Sequence, residues 1–183
     1  MRVLAGALKG QRLTTPKGRT TRPTADQVRI ACLDTLMPYL EAGPFLDLFA
    51  GAGGVGIEAL SRGAPAAVFV ERDRQAVAAL EDNIARLALT ERARLLRLDV
   101  SKALAMLGRE GARFAVVFLD PPYASPESAA TLEAIGAGGC LQPGAVVVVQ
   151  HPTKAPLVPP STLMLWKDRR FGETTLTFFR RGA

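Results

Sequence analysis

The stretch Asp47–Gly56, DLFAGAGGVG, decides the fold of this chain because it joins a short apolar run to a helix through four glycines. The run Phe45–Phe49 has the length of a strand, and Val55–Arg62 has the composition of a helix. Glycines let a backbone approach a bound molecule closely, and the helix that follows presents its amide groups to that molecule. The stretch therefore predicts a strand, a ligand-binding loop and a helix in succession.

The alternation of apolar runs and helical segments continues along the chain. Further strands are predicted at Ala66–Val70, Ala93–Leu98, Phe114–Leu119 and Ala145–Gln150, and helices at Asp73–Leu87, Lys102–Arg109 and Glu127–Ile135. Such a pattern is typical of parallel strands that are buried on both faces. Two later runs, Thr162–Trp166 and Thr174–Arg180, predict a closing antiparallel pair. The predicted fold class is α/β, a Rossmann-like, mostly parallel sheet with an antiparallel C-terminal edge.

The first 23 residues read as an extension ahead of this pattern. A short strand pair is predicted at Arg2–Ala5 and Arg12–Thr15, with a turn at Lys9-Gly10. Thr24 then opens a helix as its N-cap, and Pro38 is predicted to end that helix. A length of 183 residues fits one domain, so we expect residues 1–23 to extend a core of residues 24–183.

The net charge of +6 is concentrated near the start of the chain. Residues 1–30 contain seven basic side chains and one acidic one, which leaves the remainder neutral. A cationic segment on a neutral body suits contact with a polyanion, and a solvated arm without a partner is the alternative. There is no membrane-length apolar run and no evident secretory signal, and Cys32 and Cys140 match no zinc spacing. We therefore expect a cytoplasmic monomer that has no metal and binds no membrane.

The glycine loop fits more than one ligand. Gly51, Gly53 and Gly56 match the G-x-G-x-x-G pattern of a dinucleotide site. The same loop can instead cradle the methionine end of S-adenosylmethionine, or it can be only a tight turn between strand and helix. These three readings stay open on the glycines alone.

Two acids lie at strand ends where a nucleoside cofactor needs them. Glu71 ends the second strand, where a carboxylate can accept both ribose hydroxyls, and Asp99 ends the third, where it can reach an adenine amine. Each acid has a simpler interpretation as well. Glu71 could pair with a neighbouring arginine, and Asp99 could cap the helix that follows it.

The tetrad Asp120-Pro121-Pro122-Tyr123 ends the fourth strand and indicates the chemistry. Consecutive prolines remove two backbone donors and fix the direction of the chain, so carbonyl groups project into a pocket there. An exocyclic amine on a base is a poor nucleophile because its lone pair is delocalised into the ring. Asp120 and the Pro121 carbonyl could accept its two N–H groups and turn the lone pair toward a methyl donor, while Tyr123 stacks on the base.

The order of these motifs resembles the bacterial methyltransferase family that modifies the N2 amine of a guanine in small-subunit ribosomal RNA. The tetrad is shared with other amino-methyltransferases and indicates the reaction type, whereas the Arg-Pro-Thr and Ala-Leu-Ser-Arg-Gly-Ala segments narrow the substrate. His151 departs from the family, which often has an acid there, and we expect a structural role for it. The matching segments span nearly the whole chain: Lys9–Leu13, Arg22–Arg29, Asp47–Gly51, Ile57–Ala64, Glu71, Asn83 and Asp120–Tyr123.

The resemblance implies that Thr24 and its neighbours close over the methionine end of the cofactor, S-adenosylmethionine, and that the basic segment holds RNA. The expected partner is ribosomal RNA or a small-subunit assembly intermediate. The candidate residues are, for catalysis, Asp120, Pro121, Pro122 and Tyr123; for the cofactor, Thr24, Asp47, Phe49, Gly51, Gly53, Glu71, Arg72, Asp99 and Val100; and for RNA, Lys9, Arg12, Lys17, Arg19 and Arg22.

Four other functions compete with this one. A DNA amino-methyltransferase would use the same tetrad but usually needs a target-recognition insertion, for which these short connections leave no room. A protein-glutamine methyltransferase would favour Asn in place of Asp120. A nicotinamide-dependent oxidoreductase would use the glycines but leave the tetrad and the basic segment without a role. A non-catalytic RNA-binding module would leave the donor and acceptor sites without a role.

Overall fold

Helices and strands alternate along the chain up to Pro152, and two strands follow. The computed structural model describes residues 1–16, 23–122, 127–155 and 157–181, with the backbone alone for residues 23, 24, 127 and 128. The elements are α1 (Pro23–Leu40), β1 (Phe45–Leu48), α2 (Gly54–Ser61), β2 (Ala67–Val70), α3 (Arg74–Arg86), β3 (Ala93–Leu96), α4 (Val100–Arg109), β4 (Phe114–Leu119), α5 (Glu127–Ala137), β5 (Leu141–Pro152), β6 (Leu163–Phe171) and β7 (Thr174–Arg181).

The strands of the described ranges form one sheet in the order β3-β2-β1-β4-β5-β7-β6. The pairs from β3 through β5 are parallel, and β7 runs antiparallel to both β5 and β6. The predicted fold class is confirmed, including the antiparallel C-terminal edge. The strand order reverses between β1 and β4, and ligands of open α/β sheets bind beyond the carboxyl ends of the strands at such a reversal.

Two apolar cores lie on opposite faces of the sheet. Helices α1, α2 and α3 cover one face, and α4 and α5 cover the other. Every residue of β1 and β4 is buried, because these central strands have helices on both sides. Cys32 and Cys140 are free, buried thiols, one in each core.

Helix α1 differs from the prediction at both ends. It begins at Pro23, so Thr24 lies inside the helix and is not its N-cap; proline suits the first helical position because the amide it lacks would have no partner there. The helix also passes through Pro38 and ends at Leu40. Pro38 is exposed and costs the helix one hydrogen bond, whereas Leu36 and Leu40 remain buried in the core.

The predicted N-terminal strand pair is present only as a short antiparallel pairing, with one bridge between Arg2 and Arg12 and backbone hydrogen bonds from Val3 to Gln11 and from Leu13 to Met1. The backbone amides of Leu4 and Ala5 do not continue a ladder, because both donate to the buried Glu58 carboxylate at 2.8 Å. Beyond this short pairing, the segment is held by side chains of α2.

Boundaries elsewhere move by a few residues. β3 ends at Leu96 and α4 begins at Val100, so each boundary falls two residues before the predicted one. β5 is longer than predicted, and β6 continues to Phe171 through four charged residues. β6 is the edge strand, so polar side chains there face water and hydrophobicity does not reveal the strand. None of the described helices is long and apolar enough to cross a membrane.

Candidate active site

A cavity of about 550 Å³ opens at the carboxyl ends of the parallel strands, beside the reversal between β1 and β4. Its walls come from the segments that follow β1, β2, β3 and β4 and from the inner faces of α4 and α5. The lining residues are Phe49, Val70, Glu71, Arg72, Asp73, Leu98, Asp99, Val100, Ser101, Leu104, Asp120, Pro121, Pro122, Ala130, Thr131 and Ala134. Residues that were predicted to bind the cofactor and residues that were predicted to act in catalysis therefore line the same cavity.

The glycine loop turns sharply between β1 and α2. Phe49 has a φ of 63°, which is uncommon for a residue other than glycine, and it lines the cavity. Gly53 has a φ of 84°, and a Cβ atom there would lie 2.4 Å from Cδ1 of Leu80. Only glycine therefore allows the loop to pack this closely on α3.

Glu71 is fixed at the edge of the cavity by backbone amides. Its Oε2 atom accepts a hydrogen bond from the Gly51 amide at 2.8 Å, and its Oε1 atom accepts from the amides of Arg72 at 2.8 Å and Asp73 at 2.9 Å. These bonds use part of the acceptor capacity of the carboxylate, which has about four lone-pair sites. The acid is therefore oriented and keeps about one lone-pair site, on Oε2, for a hydroxyl group of a ligand.

Asp47 lies behind the glycine loop and does not line the cavity. It is 1% exposed, and it accepts the Gly56 amide at 2.8 Å, which ties β1 to the first turn of α2. Burial, together with the charges of Asp120 and Glu71, raises the pKa of Asp47 to about 7 despite the lowering by the Gly56 hydrogen bond. Its observed contacts stabilise the loop.

Asp99 faces Arg72 across the cavity wall. The Arg72 guanidinium donates to Asp99 Oδ1 at 2.7 Å, and Lys102 Nζ lies 3.9 Å from Oδ2. The hydrogen bond from Arg72 lowers the pKa of Asp99, so this group stays ionised. Asp99 occupies the N-cap position of α4, but its side chain makes no capping hydrogen bond. The carboxylate is thus directed to the cavity side, next to Val100.

The end of β4 places Asp120, Pro121 and Pro122 in the cavity lining. The Asp120 amide bonds the Leu48 carbonyl at 3.4 Å, which sets the tetrad beside the end of β1 and therefore beside the glycine loop. Pro121 is buried, whereas Asp120 and Pro122 are exposed. Tyr123 lies outside the described residues.

Of the candidate RNA residues, the structure describes Lys9 and Arg12, and neither lines the cavity. The Ala7 amide donates to the Ser61 carbonyl at 2.8 Å, and the Leu8 amide donates to the Ser61 hydroxyl at 2.9 Å. The turn that carries Lys9 therefore lies at the carboxyl end of α2. That end is roughly 12 Å from the glycine loop, the length of an eight-residue helix. Lys17, Arg19 and Arg22 lie outside the described residues, as does the Thr24 side chain, so the expectations for these four residues remain predictions.

Several lining residues were missed from the sequence. Thr131 of α5 is 7% exposed, and no described residue forms a hydrogen bond with its hydroxyl group. Ala130 and Ala134 flank it, and their small side chains leave room for a ligand between α4 and α5. A single threonine in an ordinary helical pattern gives no signal in the sequence. Only its position on the helix after the tetrad could have suggested it.

Comparison with known proteins agrees with this geometry. The family model described as "Conserved hypothetical protein 95" matches residues 1–180. The protein of Haemophilus influenzae named "Ribosomal RNA small subunit methyltransferase D" is 32% identical over 176 residues, which cover 94% of this chain and 89% of that protein.

Solved structures share the fold. The structure of yhhF from Escherichia coli superposes with a TM-score of 0.87 at 30% identity and covers 99% of this chain and 97% of its own. An RNA methyltransferase from Salinibacter ruber, solved with S-adenosyl-L-homocysteine, has a TM-score of 0.66 at 18% identity, covering 89% of this chain and 94% of its own. The sheet and its covering helices are thus the class I methyltransferase fold. Together with the family match, these findings show that this chain belongs to the Conserved hypothetical protein 95 family, in common with the ribosomal RNA small subunit methyltransferase D of Haemophilus influenzae.

Proposed function

We propose that this protein transfers the methyl group of S-adenosylmethionine to the exocyclic N2 amine of a guanine in small-subunit (16S) ribosomal RNA. It acts in the cytoplasm as a monomer, on ribosomal RNA or on a small-subunit assembly intermediate. The proposal depends on which cofactor the glycine loop suits, on what the tetrad does to an amine, and on which nucleic acid is the substrate.

The observation that carries the proposal is the hydrogen bond between the Gly51 amide and the Glu71 carboxylate. In a dinucleotide site, amides of the glycine loop bind a doubly charged pyrophosphate. Here a carboxylate already occupies the first of those amides, and the charges of Glu71 and Asp120 both act on Asp47. This negative environment repels a pyrophosphate and attracts the sulfonium and ammonium groups of S-adenosylmethionine.

The cavity also fits the adenosine portion of this cofactor. Leu98, Val100 and Leu104 supply an apolar wall for a flat ring, and Asp99 lies beside it as an ionised acceptor for the adenine amine. Glu71, fixed by backbone amides, can accept one ribose hydroxyl with its remaining lone-pair site on Oε2. When bound, the cofactor supplies an electrophilic methyl group on sulfur.

The residues at the end of β4 orient the amine. Asp120 and the Pro121 carbonyl accept its two N–H groups, which rotates the lone pair out of the ring and toward the methyl group. A methyl group supplied by the bound cofactor, which would be left as a neutral thioether, would give the amine nitrogen a positive charge. The nitrogen then loses a proton to Asp120, which is exposed and can pass it to water. A base can reach this position only when it is unpaired or extruded from its stack.

The substrate is inferred from the family. The Haemophilus influenzae relative is named for small-subunit ribosomal RNA, and the basic stretch before α1 supplies the charge that an RNA backbone requires. Guanine N2 is inferred from the resemblance of the segments Arg22–Thr24 and Ala59–Ala64. A DNA substrate is disfavoured because the connections between described strands leave no room for a target-recognition insertion.

Two measurements test the proposal. In a thermal shift assay, S-adenosylhomocysteine should raise the Tm and NAD should not; stabilisation by NAD alone would reject a methyltransferase. Tritium-methyl transfer should then be measured with unmodified 16S RNA, naked and protein-bound, and with duplex DNA as the control. Nucleoside analysis should find the label in N2-methylguanosine, whereas label confined to adenosine or cytidine contradicts the guanine assignment.

A further inference from the structure

The C-terminal part of the chain carries a positive charge that its own acidic residues do not neutralise. Residues 151–183 contain six basic and two acidic residues, whereas residues 31–150 contain ten basic and fourteen acidic ones. In residues 31–150, ion pairs hold Arg62, Arg72, Arg86, Arg94, Arg97 and Lys102. None of the six C-terminal basic residues forms an ion pair with a described residue. Their charge is therefore available to an external partner.

Four of these six residues lie on the second half of β6 and in the loop that follows β5. The Thr153 amide donates to the Glu173 carbonyl at 2.8 Å, and the Thr153 hydroxyl donates to the Gly172 carbonyl at 3.1 Å. These bonds fix the loop after β5 against the turn that follows β6. We call the four residues that this contact brings to one part of the surface the β6 basic surface: Lys154, Lys167, Arg169 and Arg170.

The four residues differ in how firmly the fold holds them. Lys154, Lys167 and Arg170 are exposed. Arg169 is half-buried and donates to the Ala31 carbonyl at 3.3 Å and to the Thr35 hydroxyl at 3.2 Å. Both acceptors belong to α1 and carry no charge, so they orient Arg169 without neutralising it. The surface thus combines three solvated cations with one that is fixed.

The β6 basic surface lies toward the same edge of the sheet as the tetrad. Because β7 is antiparallel to both β5 and β6, β6 runs in the same direction as β4 and β5. Leu119 pairs with Val149, and Arg170 is level, through β7, with His151, which lies two residues beyond Val149. Asp120 directly follows Leu119. Three strand spacings of about 4.8 Å separate β4 from β6, so the two strand ends lie about 14 Å apart.

The charge of this surface complements that of the cavity. Glu71, Asp99 and Asp120 line the cavity, and carboxylates repel phosphate groups. When a base enters beside Asp120, the backbone of its strand is therefore favoured outside the cavity, on a surface of opposite charge. A stacked strand carries one phosphate for roughly every 3.4 Å of its length, so about four phosphates span the distance from Asp120 to the β6 basic surface.

We propose that the β6 basic surface binds the phosphate backbone of the RNA strand that carries the target base. It is a second RNA contact, separate from the basic stretch before α1. The choice of RNA as the partner rests on the proposed function. Charged side chains on an edge strand also prevent pairing with strands of other molecules, and the experiment below separates that role from RNA binding.

Removing the three exposed charges should weaken RNA binding and its dependence on salt. The variant Lys154→Gln, Lys167→Gln, Arg170→Gln should bind fluorescent, unmodified 16S RNA about tenfold more weakly or worse. The slope of log K against log salt should fall by about 2, because each lost phosphate contact accounts for about 0.7. The variant Lys154→Arg, Lys167→Arg, Arg170→Lys keeps all three charges and should retain the wild-type Kd and slope.

The matched control removes the same number of charges from another part of the surface. Arg94, Arg109 and Arg113 are exposed and lie toward the amino ends of β3 and β4. Replacing all three by Gln should change the Kd for RNA by less than about twofold, because salt screens charges that are distant from the bound strand. An equal loss of affinity in this control and in the β6 variant overturns the proposal.

Kinetics distinguish a binding surface from a part of the catalytic machinery. In the Gln variant of the β6 basic surface, the KM for RNA should rise, whereas kcat at saturating RNA and the Kd for S-adenosylhomocysteine should stay at their wild-type values. A wild-type Kd and salt slope for RNA in that variant overturn the proposal and leave edge protection as the role of these charges. The RNA titration requires no methyl transfer, so absence of label in guanosine rejects the proposed function and leaves this test intact.

Discussion

The guanidinium of Arg72 and the carboxylate of Asp99 form a hydrogen bond of 2.7 Å at the wall of the cavity. Both side chains are largely exposed, at 64% and 42%, so we expect the pair to add little to stability. Its consequence is electrostatic, because Arg72 lowers the pKa of an acid proposed to bind adenine. The pair therefore sets the pH range in which the adenine site works.

Replacing Arg72 should shift the pH dependence of cofactor binding. Without this donor the pKa of Asp99 rises toward its ordinary value, so protonation of Asp99 begins at a higher pH. In Arg72→Gln, binding of S-adenosylhomocysteine should begin to weaken at a higher pH than in the wild type as the solution is acidified. Calorimetric titrations between about pH 3 and pH 5, which span the ordinary Asp pKa of about 3.9, measure this, and superimposable profiles would argue against a role for ionised Asp99.

Substitutions of Asp120 should separate chemistry from cofactor binding. Asp120→Ala removes the acceptor that orients the amine, so kcat for methyl transfer should fall by roughly 100-fold or more. Asp120→Asn retains one acceptor oxygen and should keep more activity than Asp120→Ala. The Kd for S-adenosylhomocysteine, measured in parallel, should change little in either variant. Full activity in Asp120→Ala would remove the assigned role.

The Thr131 hydroxyl should contribute to cofactor binding. It belongs to a residue that is 7% exposed and lines the cavity, so a ligand can supply the hydrogen-bond partner that no described residue offers. Thr131→Val keeps the shape of the side chain and should weaken S-adenosylhomocysteine binding by about three- to tenfold. Thr131→Ser keeps the hydroxyl and is the control. Equal affinities in Thr131→Val and the wild type would show that the hydroxyl is unused.

Asp47 should make the protein less stable as the pH rises. Burial raises the pKa of the folded-state carboxyl to about 7 from an ordinary value of 3.8, so between these values the folded state holds a proton that the unfolded state has lost. The free energy of unfolding therefore decreases through this window, by a few kcal/mol at most. Asp47→Asn keeps an acceptor for the Gly56 amide and should flatten that decrease in urea denaturation curves measured from pH 4 to pH 8. If the free energy of unfolding of Asp47→Asn decreased with pH as steeply as that of the wild type, Asp47 would not be the cause of this pH dependence.

Neutralising Arg12, Lys17 and Arg19 together should weaken RNA binding and reduce its salt dependence. Each phosphate contact that is lost reduces the slope of log K against log salt by about 0.7 for single-stranded RNA. The matched control replaces Arg94, Arg109 and Arg113, which are exposed and lie on β3, on α4 and before β4. Equal slopes in the two triple variants would indicate that the basic segment is only a solvated arm.

Much of the fold follows from apolar runs and glycines. The sequence predicts β4 at its observed bounds, Phe114–Leu119, because no polar residue interrupts this run. Every residue of the strand is buried in the structure. Glu71, Asp99 and Asp120 could be expected together, since the carboxyl ends of parallel strands share one edge of a sheet. In the structure all three side chains line the same cavity.

Other features depend on tertiary contacts that a local pattern does not contain. The segment Arg2–Ala5 alternates like a strand, but the Glu58 carboxylate takes the amides that a ladder would need. Asp47 has the sequence position of a ligand-binding acid, and only the fold shows it bonded to Gly56 behind the loop. His151, expected to be structural, is 7% exposed, with ring nitrogens 2.8 Å from the Thr177 hydroxyl and 3.0 Å from the carbonyls of Pro152 and Ala155.

The position of β7 has a consequence for how the chain is made. β7 is the last strand in sequence, yet it lies between β5 and β6 and buries five consecutive residues from Thr175 to Phe179. During synthesis, β5 therefore has no antiparallel neighbour, and its edge stays unpaired, until the ribosome has released Thr174–Arg181. Native pairing of β5 and β6 in the sheet is therefore completed only after β7 has been translated.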